Sequence, residues 1–191
     1  DGIRDDLVTG VQTCALPIYE NDSVLILDEI VTGFRYDLGG CQKYFDLKGD
    51  LVCFGKGMGN GLPITAITGK TEFMNAFDEL WVSSTNNSEA LSLAGTIAVI
   101  NEMKEKNTIE SCWKQGGKLM EEWNKTVLDY DIDAKMKGYP VRMKMECLDS
   151  DGKESMPLKS LILQEMVKRG IFMSQGVSFI SYSHSSEDIQ Y

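Results

Sequence analysis

The run Phe54–Pro63, FGKGMGNGLP, sets one lysine, Lys56, among glycines 55, 57, 59 and 61. It follows directly on Asp50–Phe54, DLVCF, whose apolar residues read as a buried strand. The glycine spacing matches neither a Walker loop nor G-x-G-x-x-G, so a nucleotide phosphate cradle is not indicated. Glycine permits close backbone approach, and around a lysine it clears room for a bulky group carried on the side-chain amine. A second ionisable residue, Asp28, closes another apolar run, Ser23–Leu27. Strand ends are where open α/β sheets bind ligands. A buried aspartate there needs a partner, and desolvation of the lysine raises its share of nucleophilic neutral amine. A strand-end lysine opposite a strand-end carboxylate is what pyridoxal phosphate requires: the amine takes the aldehyde, and the carboxylate keeps the ring nitrogen protonated. On spacing alone, a plain Asp28–Lys56 ion pair accounts for the same residues.

The elements around these residues are readable from periodicity. Ser23–Leu27, Asp50–Phe54 and Ile64–Thr68 read as strands, the first buried on both faces. A Gly39-Gly40 turn and a helix-like Cys41–Leu47 separate the first two, so the pattern predicts parallel strands joined by crossovers. Ser88–Lys106 is predicted as a helix, and Thr108–Leu128 as a second with Trp113, Leu119, Met120 and Trp123 inward. Val141–Cys147 alternates as a half-buried strand, and Pro157–Arg169 is a helix ended by Gly170. Ile171–Gln175 and Phe179–His184 read as strands, and Ser185–Gln190 as the capped start of a helix. The change of pattern after about Leu128 suggests a second, smaller subdomain.

Composition narrows the function classes. The chain has 191 residues, 42% hydrophobic and 25% charged, with a formal charge of -10. No basic run supports nucleic-acid or anionic-membrane binding, and no apolar stretch approaches a membrane span. Cysteines 14, 41, 53, 112 and 147 show no C-x-x-C spacing or histidine cluster. They therefore point to reduced, cytoplasmic thiols with no metal site. His184, the single histidine, reads as structural rather than catalytic. Arg35 reads as fixing the loop after Gly33, Glu29 as a supporting carboxylate, and the ten methionines as core filling.

The wording of four segments resembles the class III pyridoxal-phosphate-dependent aminotransferases, especially the glutamate-1-semialdehyde aminomutase branch. LILDEIVTGFR (25–35) matches that family's D-E-[VI]-x-T-G-x-R segment. GDLVCFGKGMGNGLPITAITG (49–69) matches its G-K-x-x-G-x-G-x-P segment. SSTNNSEALSLAG (83–95) carries the family threonine, with Glu89-Ala90 where the family often has Asn-Pro. RGIFMSQGVSFISYSHSSEDI (169–189) is similar to the end of the family's small domain. The resemblance implies an α/β fold, part of fold type I (aspartate aminotransferase-like). It implies Lys56 as the imine lysine and proton shuttle, Asp28 as partner of the pyridine nitrogen, and Ile30 against one ring face. Thr85 would reach the cofactor phosphate of a neighbouring subunit in a homodimer. The activity implied is amino transfer between an amino donor and a keto or aldehyde acceptor. An intramolecular aminomutase and a non-catalytic remnant of the fold remain as alternatives.

Residues 1–18, DGIRDDLVTGVQTCALPI, lack the charged start and apolar core of a signal peptide. They resemble the in-frame translation of a sequencing adapter and are set aside as non-native. On this reading 19–105 is the later half of a cofactor-binding large domain. Residues 106–191 are a linking helix and a small domain cut off at its end. The family's phosphate-binding turn and ring-stacking aromatic would lie upstream, so the chain alone is expected to bind cofactor poorly and to be inactive.

Overall fold

The computed structural model describes residues 17–82 and 84–191. Most of the adapter-like segment therefore lies outside the described residues. The chain forms two compact units that part between Lys106 and Asn107.

The first unit is built on a three-stranded sheet in the order β1 (Ile26–Glu29), β2 (Leu51–Phe54), β3 (Ala66–Gly69). β1 and β2 run parallel, with Ile26 opposite Leu51 and Glu29 opposite Phe54. The crossover between them carries α1 (Gly40–Tyr44). β3 corrects the expectation of parallel pairing throughout, because it returns antiparallel, Ala66 opposite Phe54 and Gly69 opposite Leu51. Its connection from β2 holds only a 3-10 turn (Lys56–Met58) and a short loop, too little for a parallel crossover. β1 also starts later than expected and is not sealed on both faces, since Ile26 is exposed. Tyr36, Phe45, Val52 and Met58 form the buried apolar residues here. After α2 (Thr71–Met74) comes α3 (Ala90–Glu105). α3 buries Ser92 and Thr96 while Leu91, Leu93 and Ile97 stay exposed.

The second unit packs α4 (Thr108–Asp129), α5 (Met156–Lys168) and the short α6 (Ser186–Gln190) on an antiparallel sheet. The sheet order is β4 (Ala134–Tyr139), β5 (Arg142–Cys147), β6 (Val177–Ser178). β5 alternates as the sequence suggests, with Met143, Met145 and Cys147 fully buried. They join Met136, Met173, Ile180 and Ile189 in one core, packed by Leu119, Met120 and Trp123 of α4. Asn124 anchors helix to strand, its amide accepting Met136 N–H at 2.8 Å and donating to Met136 C=O at 3.2 Å. Proline lies in the first turn of α5, as expected, and Ser155 caps it. α6 opens on a reciprocal capping box between Ser185 and Asp188. The strands expected at 171–175 and 179–184 are replaced by two-residue β6, while β4 was not anticipated. Met173 and Ile180 still reach the core, from irregular backbone.

Candidate functional site

Parallel pairing of β1 and β2 sets Asp28 opposite Cys53 and Glu29 opposite Phe54. Asp28 and Lys56 therefore lie at the same, carboxyl end of the pair. Asp28 Oδ1 accepts the N–H of Ile30 at 2.9 Å, a local bond that fixes its carboxylate at the strand exit. Gly55 is extended, φ -175°, and the chain then turns at Lys56, whose φ of 42° lies in the left-handed region. Lys56 C=O accepts from Gly59 N–H and Asn60 N–H, both at 3.1 Å, closing the turn. Both Asp28 and Lys56 are exposed, which corrects the expectation of buried groups. Among the described residues no ion pair joins them to each other or to a third group. The plain ion-pair account is therefore not what the structure contains.

Ile30 stands beside the lysine turn. Its Cγ2 lies 3.6 Å from where a Cβ on Gly55 would be, and Thr65 Cγ2 lies 3.3 Å from the same point. Phe34 packs edge-on against Phe54 with centroids 5.6 Å apart, and Gly57 faces the carbonyl of Gly33. The Asp28–Arg35 segment and the lysine turn thus hold one another. This revises the purpose assigned to the glycines. A side chain on Gly59 would meet Ile64 at 2.5 Å, so that glycine serves the packing of the loop rather than a group on Lys56.

Thr85 lies in an exposed turn closed by Asn87 N–H to Ser84 C=O at 3.0 Å. No hydrogen bond among the described residues ties it to Asp28, Ile30 or Lys56. The amino end of α3 is already filled: Glu89 accepts from Leu91 N–H at 2.8 Å and Ser92 N–H at 2.7 Å. The Ser92 hydroxyl, with these amides, holds the Glu89 carboxyl below the usual carboxylate range. The position where the family often carries Asn is thus a carboxylate cap, and Thr85 offers its hydroxyl from the turn before it.

Sequence reasoning missed how strongly two carboxylates shape this unit. Glu29 is buried and takes the N–H of Cys41 at 2.9 Å, the N–H of Gln42 at 2.6 Å and the hydroxyl of Thr32. Asp50, at the opposite end of the strand pair, is buried with Lys70 Nζ at 2.5 Å and Leu25 N–H at 2.7 Å. Lys70 foremost, then the Leu25 amide, holds the Asp50 carboxyl below its usual range. The available signal was strand alternation, which sends one of two adjacent acids inward. His184 acts locally, its Nδ1 accepting Ser181 N–H at 3.0 Å.

A carboxylate and a primary amine that form no ion pair among the described residues, at one end of a parallel strand pair, suit a pyridine nitrogen and an aldehyde. The donor set therefore fits pyridoxal phosphate, and Lys56, Asp28 and Ile30 are the residues that could hold it. Among the described residues no helix is long and apolar enough to cross a membrane.

Comparison with known proteins agrees. A glutamate-1-semialdehyde 2,1-aminomutase of Clostridium novyi (strain NT) is 32% identical over 190 residues, covering 90% of this chain and 43% of the relative. A 3-aminobutyryl-CoA aminotransferase of Cloacimonas acidaminovorans (strain Evry) is 29% identical over 170 residues, covering 88% of this chain and 41% of the relative. An omega-transaminase from Sphaerobacter thermophilus superposes with a TM-score of 0.84 at 18% identity, over 96% of this chain and 45% of the transaminase. The fold is thus the expected α/β part-structure of a transaminase, and the chain spans under half the length of these relatives. The sequence profile of the class-III aminotransferases matches residues 5–183, and the chain belongs to that family.

Proposed function

We propose that this chain is part of a pyridoxal-phosphate-dependent aminotransferase that moves an amino group between an amino donor and a keto or aldehyde acceptor. The observation that carries the reading is Lys56 and Asp28 at the same end of β1–β2, neither in an ion pair among the described residues. When bound, the cofactor supplies an electron sink for the substrate's α-carbon. The Lys56 amine would hold the cofactor aldehyde and would move the proton at the substrate carbon. The Asp28 carboxylate, oriented by Ile30 N–H, holds a proton on the ring nitrogen. Ile30 limits the ring's position from one face.

Residues 19–105 serve as the later half of the large domain, and 106–191 as the linking helix and small domain. The division into compact units near Lys106 supports that assignment. In a homodimer, Thr85 would donate its hydroxyl to the phosphate in the neighbouring subunit. The outward Leu91, Leu93 and Ile97 of α3 support an apolar contact with further protein. The cysteine pattern supports a cytoplasmic setting.

In the full-length enzyme, Lys56→Ala is expected to abolish the visible band of lysine-bound cofactor and lower kcat by at least ~100-fold. A retained band and rate would sink the reading. The aminomutase relative supports a second reading, intramolecular transfer. Rapid 5-aminolevulinate formation from glutamate-1-semialdehyde without an external donor would establish it in place of transfer. The 191-residue chain alone is expected to bind pyridoxal phosphate weakly, and tight binding in a spectral titration would refute this.

A further inference from the structure

Glu29 is 2% exposed, yet the chemistry proposed above gives it no part. Strand geometry sends adjacent side chains to opposite faces, so Asp28 turns outward and Glu29 inward. Inward, the Glu29 carboxylate gathers three donors from two segments: the Thr32 hydroxyl, Cys41 N–H and Gln42 N–H. Its own carbonyl accepts Gly33 N–H at 2.8 Å. One residue therefore ties the end of β1, the turn that follows, and the start of α1. The fit leaves no slack. At Gly40, φ 79°, a Cβ would stand 2.5 Å from the Glu29 carboxyl carbon. Within the span closed by Glu29 and Gly33 lies Ile30, whose N–H orients Asp28 and whose side chain borders Gly55.

We infer that Glu29 is a positioning residue for the cofactor site. By clamping the turn at 30–33 from the buried face, it holds the Asp28 carboxylate and the Ile30 side chain toward the lysine turn. The aminotransferase reading says what Asp28 is held against; the clamp itself stands on the geometry alone.

Two variants strain the clamp from opposite sides: Glu29→Gln places an amide N–H against donors, and Gly40→Ala presses a methyl on the carboxyl. Amide hydrogen exchange in the 191-residue chain is read at Ile30 and Gly33. The reference amides are Asp50 and Lys70, bonded to Leu25 and Asp50 carbonyls at the far end of the strands. Both variants are expected to speed exchange at Ile30 and Gly33 by about tenfold or more, with the reference amides unchanged. Unchanged exchange at Ile30, or equal acceleration at the reference amides, would overturn the inference. In the full-length enzyme incubated with pyridoxal phosphate, Glu29→Gln is expected to shift the pH midpoint of the cofactor band in the direction of Asp28→Asn, by a smaller amount. An unmoved midpoint in an enzyme that shows the band would also overturn it. A wild-type enzyme with no band would remove the aminotransferase reading, and the exchange data would then decide the clamp on their own.

Discussion

Two aspartates sit at opposite ends of the β1–β2 pair with opposite duties. Asp28 is exposed and, among the described residues, in no ion pair, which suits the ligand role proposed for it. Asp50 is buried and saturated by Lys70 and by the amide of Leu25. Because its folded carboxyl titrates below the ordinary 3.8, the unfolded chain binds more protons in that range. Its contribution is therefore full above the unfolded value and is lost as pH falls through the folded one. Asp50→Ala is expected to cost roughly 1–3 kcal/mol at neutral pH, leaving Leu25 N–H unsatisfied. The deficit relative to wild type should shrink below about pH 4, measured by denaturant unfolding across pH. The placement of Lys56 and Asp28 at strand ends was legible because glycine spacing and strand ends are local features of the sequence. The supporting role of Glu29 was legible too, but its three donors and the burial of Asp50 were not, because they depend on groups contributed by other segments.

Two adjacent glycines inside α4 separate helix propensity from packing. A helix interior normally gains about 1 kcal/mol when glycine becomes alanine. Around Gly117 nothing lies within 4 Å of an added Cβ, so Gly117→Ala is expected to raise stability by about that amount. At Gly116 the same methyl would stand 1.9 Å from the carbonyl oxygen of Pro140, at the turn between β4 and β5. There the clash exceeds the propensity gain, and Gly116→Ala is expected to destabilise by about 1–3 kcal/mol. Opposite shifts in Tm for the two variants would check this. Helices were the legible elements, because a 3.6-residue period repeats over several turns. Strand direction was not: β3 has the composition of a parallel strand, and only the short connection from β2 makes it antiparallel. In 171–184, read as two strands, Met173 and Ile180 are buried while Phe172 is exposed, and burial there does not require strand pairing.

At the scale of the whole molecule, the second unit carries a sulfur-rich core, with Met136, Met143, Met145 and Cys147 essentially without exposure. Met143→Ala should cost about 2–5 kcal/mol, seen in the unfolding transition. The burial of Cys147 pushes its thiol above the ordinary range, so thiol reagents are expected to label it only as the unit opens. The first unit differs, since α3 faces Leu91, Leu93 and Ile97 outward, which fits a chain that spans under half the length of its relatives. The change of pattern in the sequence falls after about Leu128, whereas the units part between Lys106 and Asn107; the outward face of α3 was not readable either, because its apolar spacing reads the same whichever side is covered. The backbone of Lys56 has a thermodynamic consequence as well. At φ 42° an L side chain costs about 1 kcal/mol that glycine avoids, and glycines stand on both sides. Lys56→Gly is therefore expected to make the protein more heat-resistant while removing the amine that the proposed function requires. Under the proposed function, that strain is what it costs to keep an amine at a position where glycine would be the more stable choice.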